Sequence, residues 1–227
     1  MSNLFMVIHT VMGIGNTLLL SQCTAYLLAL VLSFFMAVPM GQNQRNFDGK
    51  CLLYARGTWS VNASSEVGWK MDITYWGSQS VCNYSIYMGI VTMIVAFVQV
   101  VRTSYFLYKG LDSSFLDAFV SFVVNFILTT MLFTSALILT MGLSAWCREV
   151  TQHIYMCEEA QYSSWLNWKG IDTSFFYIQL GMAQFGSWCG WVCWLIATML
   201  TGLRVYNYHQ REDILRSLRR EKDRLVG

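Results

Sequence analysis

Seven cysteines are the residues of this 227-residue chain with the widest range of chemistry, and their surroundings divide them into two groups. Four of them, Cys51, Cys82, Cys147 and Cys157, lie in polar segments. These four allow three pairings, and we favour Cys51 with Cys82 and Cys147 with Cys157 over bridges between the two segments. Each such bridge would stabilise its loop by about 2–4 kcal/mol through lost unfolded-state entropy. We therefore expect two disulfides, with the pairings between segments as alternatives.

The remaining cysteines, Cys23, Cys189 and Cys193, lie in apolar segments. Cys189 and Cys193 are four residues apart, a spacing that would place both thiols on one helix face, where a metal ion could use them. Zinc needs two further ligands, however, and no histidine or carboxylate occurs nearby in the apolar segments. We expect buried, unreactive thiols and neither a metal nor another cofactor.

Polar side chains are scarce in the apolar segments. Charged residues inside a membrane mark proton relays and ion pathways, and the four uncharged segments contain none. The polar exceptions are Asn125, Gln99, Gln179 and Gln184. We interpret each as a partner in an interhelical hydrogen bond worth about 0.6 kcal/mol. In the alternative interpretations they face a partner's helix or line the pore of an oligomer.

No familiar catalytic motif occurs: the chain has no phosphate loop, nucleophile elbow, metalloprotease helix or dinucleotide fingerprint. A lipid-modifying enzyme would need polar groups at the membrane surface, and only Asp112, Asp117 and His209 are candidates. Each is explained more simply as a flanking charge or as tail polarity. We predict that the chain is not an enzyme.

The composition explains why the chain offers so little polar chemistry. Hydrophobic residues make up 55% of it and charged residues 12%, whereas soluble domains carry about 25% charge. A bilayer span needs about 20 apolar residues. Four segments meet this requirement, at about 17–39, 85–101, 118–143 and 175–203. We predict an all-α integral membrane protein, a four-transmembrane-helix bundle, that forms a single domain over residues 1–227.

Charge and glycosylation patterns predict the orientation of these spans. The tail, residues 204–227, is rich in arginine, and the short connection after the second span carries Arg102 and Lys109, so both termini should be cytoplasmic. The loops at 41–84 and 144–174 are then extracytoplasmic and disulfide-stapled, with room for short β-strands in the first. The first loop also holds the two glycosylation acceptor patterns, at Asn62 and Asn83. These features fit the plasma membrane or an endosomal or secretory membrane.

The ends of the bundle carry two further patterns. Residues 1–16 would either lengthen the first helix or lie in the interface, and they lack the basic start and the cleavage site of a signal peptide. In the fourth span, Gly186 and Gly190 form a G-x-x-x-G pattern beside a second pair of small residues, Ala183 and Ser187. Such residues allow two helices to approach closely. We favour packing within the bundle over a docking seam for an external partner.

Five ordered segments closely resemble the transmembrane protein 179 family, from about Leu18 to about Leu225. They are SQCTAYLLALVLSFFMAVP, FDGKCLLYARGTW, WGSQSVCNYSIY, DTSFFYIQLGMAQFGSWCGW and RVYNYHQREDILRSLRREK. The resemblance implies a multi-pass membrane protein and supplies no catalytic residue. The layout is also similar to that of claudins and calcium-channel gamma subunits, but the claudin pattern of G-L-W followed by two cysteines is absent. This second likeness is an analogy of architecture.

Two hypotheses about function follow. The first is a non-enzymatic accessory or adaptor subunit that binds another membrane protein, such as a channel, receptor or adhesion protein. The alternative is a small channel or transporter that acts as an oligomer. Beyond the lipid bilayer and that protein partner, we expect no nucleic acid, and a homo-oligomer is compatible with both hypotheses.

Overall fold

The computed structural model describes residues 2–61, 69–110, 115–161 and 171–226, with the backbone alone in 2–16, in 221–226 and at Leu215 and Arg219. The described elements, in chain order, are α1 (Ser2–Asn46), β1 (Cys51–Val61), β2 (Trp69–Gly77), α2 (Gln79–Lys109), α3 (Phe115–Val150), a short 3-10 helix (Glu159–Gln161) and α4 (Phe176–Val226). Within this part of the chain, four helices are long and apolar enough to cross a membrane. The predicted four-span helical class is therefore confirmed, and the first loop does contain strands.

The helices extend beyond the apolar segments that the sequence marks as spans. Helix α1 continues past Pro39 to Asn46, and α3 continues to Val150. Proline has no N–H to donate to the carbonyl of Phe35, four residues earlier, but the remaining bonds of the helix continue on both sides. Hydropathy locates the end of an apolar run. The end of a helix is a different boundary, because it is set by the capping groups.

The end of α1 is such a cap. Gly49 N–H donates to Gln44 O at 2.8 Å, and Asp48 N–H donates to Arg45 O at 3.2 Å. Asp48 and Gly49 have φ values of 53° and 75°. This pair of bonds with a left-handed residue is the Schellman motif, which satisfies the last carbonyl groups of a helix. It turns the chain from α1 into β1.

The chain forms two compact units, which are described separately. Unit 1 comprises Met1–Leu28, Val95–Thr130 and Val192–Gly227. Unit 2 comprises Ala29–Ile94 and Met131–Trp191. Unit 2 contains the hydrophobic core around the strands. That core includes Met40, Phe47, Leu52, Leu53, Met71, Trp146, Val150, Phe176 and Leu180.

Within unit 2, β1 and β2 pair antiparallel, from Val61 opposite Trp69 to Cys51 opposite Gly77. The register shifts on both sides of Arg56: β1 has extra residues between Cys51 and Arg56, and β2 has one extra residue between the partners of Arg56 and Gly57. At Gly77 the strands approach so closely that a Cβ atom would lie 1.7 Å from Leu53 O. Only glycine fits there, because that distance is far inside van der Waals contact.

Replacement of Gly77 by alanine should therefore destabilise the fold. We expect Gly77→Ala to lower the free energy of unfolding by at least about 1–3 kcal/mol, since the strands must separate to admit the methyl group. Gly41→Ala is the control, because nothing lies within 4 Å of a Cβ at Gly41. Thermal unfolding in detergent micelles, followed by tryptophan fluorescence, measures both variants. An unchanged midpoint for Gly77→Ala would contradict the close approach.

Candidate functional site

Two disulfides anchor the loops of unit 2. Cys51 is bonded to Cys82, which ties the start of β1 to the first turn of α2. Cys147 is bonded to Cys157, which ties the last turn of α3 to the loop that follows it. These are the pairings within each loop that the sequence favours.

The two loops also pack on each other. Trp59 Nε1, on β1, donates a hydrogen bond to Glu149 O at 3.1 Å. The ring of His153 stacks on Trp69 of β2 with a centroid distance of 4.1 Å, and it meets Trp59 edge-on at 5.2 Å. Aromatic contacts of these geometries are favourable beyond the area they bury. We name β1, β2 and residues 151–161 together the loop platform.

The chain that leads into α4 is fixed to the end of α1. Asp172 N–H donates to Asn46 O at 3.1 Å, and the Asp172 carboxylate accepts the N–H of Ser174 at 2.9 Å. This backbone hydrogen bond favours the charged form and lowers the pKa of the exposed Asp172 carboxyl group below its usual value. Phe176 then packs edge-on against Phe47. The first turn of α4 is thereby positioned against the core of unit 2.

The loop platform exposes large apolar and aromatic side chains. The exposed fractions are 75% for Val61, 65% for Tyr75, 84% for Tyr155 and 50% for Met156. None of these residues lies in an uncharged apolar segment of the sequence, so none belongs to a predicted span. Tyrosine and methionine are enriched in protein interfaces. The loop platform is therefore the candidate interaction surface.

The predicted small-residue seam lies inside unit 2. A Cβ atom at Gly186 would lie 2.9 Å from Met36 N and 2.9 Å from Phe35 C, both backbone atoms of α1. The side chains of Ala183 and Ser187 are fully buried, and a Cβ at Gly190 would lie 4.0 Å from the nearest atom of Leu32. The structure supports the interpretation of packing within the bundle. It leaves Gly186 no surface for an external helix.

The polar residues of the spans bond to one another. In unit 1, Asn125 is fully buried, and its Nδ2 donates to Tyr26 Oη at 2.7 Å and to Thr201 Oγ1 at 3.0 Å. In unit 2, Gln184 Nε2 donates to Thr140 Oγ1 at 3.2 Å, and Gln179 Oε1 accepts from Asn43. These bonds join different helices, as expected for Asn125, Gln179 and Gln184. Gln99 departs from that expectation, because its buried Oε1 has no hydrogen-bond partner among the described residues. The Oδ1 of Asn125 is also buried and has no hydrogen-bond partner among the described residues.

The remaining candidates from the sequence, where described, form ion pairs with neighbouring side chains. Arg102 Nη1 donates to Asp117 Oδ1 at 2.8 Å, which joins α2 to α3, and its Nη2 donates to Ser121. His209 pairs with Asp213 along the exposed tail. Asp112 lies outside the described residues. Among those that are described, no three metal-ligating side chains cluster, Cys189 and Cys193 included.

The two glycosylation patterns differ in their structural setting. Asn83 lies in α2, and its Oδ1 accepts a hydrogen bond from Gln44 Nε2 at 3.2 Å. The acceptor pattern also needs Ser85, which is fully buried and bonded to Ser135 at 3.3 Å. Asn62 lies outside the described residues. The Asn83 side chain thus takes part in a hydrogen bond between α1 and α2.

A family model described as the transmembrane protein 179/179B claudin domain matches residues 18–226. The chain belongs to this family. The transmembrane protein 179B of Danio rerio is 26% identical over 190 residues, which cover 80% of this chain and 81% of that relative. No solved structure matches the chain.

Membership of the transmembrane protein 179/179B family confirms the resemblance carried by the five sequence segments. Residues 1–17 precede the matched range. The description of the family as a claudin domain also makes the likeness to claudins more than an analogy of layout.

Two residues of the polar clusters, Gln22 and Arg204, were not identified from the sequence. Gln22 lies within the first span, and its Nε2 donates to Thr201 Oγ1 at 3.3 Å. Arg204 lies directly after the fourth span and is also buried, with 8% of its surface exposed. Gln22 is an amide of the same type as the four that were singled out and could have been found with them. The burial of Arg204 has no sequence signal, because every span is expected to be followed by charges.

The Gly186 contact can be tested with a matched glycine on the same helix. We expect Gly186→Ala to lower the free energy of unfolding by about 1–3 kcal/mol, because the added methyl group meets the backbone of α1. Gly181→Ala adds its methyl group to open space and should stabilise α4 by up to about 1 kcal/mol. Tryptophan fluorescence during heating in detergent measures both. Equal midpoints for the two variants would refute the contact.

Proposed function

We propose that this protein is a non-enzymatic accessory subunit that binds another membrane protein through its loop platform. The observation that carries the proposal is the exposure of Tyr75, Tyr155 and Met156 on a scaffold that two disulfides and an aromatic stack hold in place. Single exposed apolar residues are common on protein surfaces. Three on one scaffold, of types that interfaces favour, support a binding surface.

The scaffold supports binding for an energetic reason. Ordering a mobile loop at an interface costs about 0.5–1.5 kcal/mol for each side chain that is immobilised. Tyr155 and Met156 immediately precede Cys157, whose disulfide restrains the backbone before any partner arrives. A restrained loop therefore loses less entropy on binding than a mobile one.

We further propose that the loop platform is extracytoplasmic and the tail cytoplasmic, in the plasma membrane or in an endosomal or secretory membrane. Disulfides persist in oxidising compartments, which supports that side for Cys51–Cys82 and Cys147–Cys157. The arginine-rich tail supports the opposite side, since basic segments stay in the cytoplasm.

Site-specific photo-crosslinking tests the partner surface. A benzophenone amino acid in place of Tyr155, which is 84% exposed, should yield one discrete protein adduct in cells, identifiable by mass spectrometry. The matched control is the same replacement at Tyr108, which is 90% exposed at the far end of α2. No protein adduct at Tyr155, or the same adduct at both positions, would argue against the platform. An adduct of twice the mass of the chain would identify a second copy as the partner.

The glycosylation patterns test the orientation. We expect Asn62→Gln to abolish the mobility shift that glycosidase treatment produces and Asn83→Gln to leave it unchanged, because Asn83 and Ser85 are engaged in packing. Gel mobility of the full chain from mammalian cells, with and without glycosidase, measures both. A shift lost only with Asn83→Gln would overturn the assignment of Asn83. To test the orientation separately, an added acceptor pattern in the exposed tail should stay unmodified.

A further inference from the structure

We propose that Arg204, with Gln22 and Tyr208, forms a binding site in unit 1 for the phosphate group of an anionic lipid. This site is independent of the loop platform. Arg204 is 8% exposed, and its Nη1 donates to Gln22 Oε1 at a long 3.4 Å. The ring of Tyr208, one turn later on α4, lies over the guanidinium with 5.8 Å between Cζ and the ring centroid. Nη2 is buried, and no acceptor among the described residues reaches it.

A partly buried arginine of unit 1, Arg102, shows what is missing. Arg102 has a carboxylate, Asp117, at 2.8 Å and a serine hydroxyl as partners. The nearest acids after Arg204 on α4 are Glu212 and Asp213, two turns away. Glu212 pairs with Arg216 and Asp213 with His209. Within the described part of unit 1, the positive charge of Arg204 therefore has no carboxylate beside it.

The position of Arg204 along the helix indicates the source of the missing anion. It is the first charged residue after the uncharged stretch 175–203. At about 1.5 Å per residue, that stretch spans roughly the 40–45 Å of a bilayer with its headgroups. Arg204 therefore reaches the layer of lipid phosphates. A guanidinium binds phosphate through two parallel N–H donors, and a buried guanidinium without an anion is unfavourable.

The neighbouring side chains suit this ligand. Gln22 donates its own Nε2 to Thr201, which leaves Oε1 turned toward Arg204 Nη1 and holds the guanidinium in place. Tyr208 is half-buried and contacts the guanidinium, so we expect its side chain to move when a phosphate binds Nη2. A water molecule would accept a hydrogen bond from Arg204 Nη2 but would leave the positive charge of the guanidinium uncompensated. A phosphate group accepts the hydrogen bond and also compensates the charge.

Native mass spectrometry of the full chain tests this site. The protein is reconstituted in nanodiscs of phosphatidylcholine with phosphatidylserine or phosphatidylinositol phosphate, then released into detergent. We expect wild type to retain one anionic lipid and Arg204→Gln to retain it about tenfold more weakly, the loss expected for a charge-assisted hydrogen-bond pair. Arg216→Gln is the control, because Arg216 lies on the same helix with 68% of its side chain exposed. Equal retention by wild type and Arg204→Gln, or equal losses in both variants, would overturn the site.

Two further arms keep the test decisive. If Arg204→Gln does not yield folded protein, Arg204→Lys replaces it. Lysine keeps the charge but lacks the planar pair of donors, so lipid retention should fall severalfold. Unchanged retention would overturn the site.

Inorganic phosphate, added to protein in phosphatidylcholine alone, tests the source of the anion. Thermal protection by phosphate but not by chloride, with no anionic lipid retained in the first arm, supports a site for free phosphate. No effect of either lipid or phosphate refutes the proposal.

Discussion

The bilayer offers no water to a polar group, and this constraint organises the polar side chains of both units. A hydroxyl or amide in the hydrocarbon layer is satisfied only by another protein group. In unit 1, the N–H groups of the Asn125 amide meet this requirement with Tyr26 and Thr201. In unit 2, Ser33 bonds to Thr92 at 3.1 Å and Ser135 to Ser85 at 3.3 Å. Each of these bonds joins two helices, so the need for hydrogen-bond partners also determines which helix faces turn inward.

Small residues allow the close helix contacts that accompany these polar bonds. Lipid is as apolar as leucine, so burial of apolar surface does not drive helices together, and close van der Waals contact must do so. Gly186 allows α4 to touch the backbone of α1, and Gly89 allows α2 to approach Ala37, where a Cβ would lie 2.9 Å away. The large side chains that remain, such as Phe97 and Phe185, are more than half exposed and face lipid.

The sequence predicted the elements of this fold better than their contacts. Runs of uncharged residues identified the four spans, and proximity in the chain identified the pairing of Cys147 with Cys157, because both signals are local. The extension of α1 beyond Pro39 was missed, since the capping bonds at Asp48 and Gly49 are not visible in hydropathy. The inward face of Gly186 and the burial of Arg204 depend on how each helix is rotated against its neighbours. A single sequence does not encode that rotation in any local pattern.

The separation of the bonded cysteines has a consequence for the order of events during synthesis. Cys51 and Cys82 are 31 residues apart, and Cys147 and Cys157 only 10. At the usual pace of translation, several seconds pass between the emergence of Cys82 and that of Cys147. In an oxidising compartment the first bridge can therefore close before the competing thiols exist. Because each bridge lies within its own loop, this timing favours the observed pairings over bridges between the two loops.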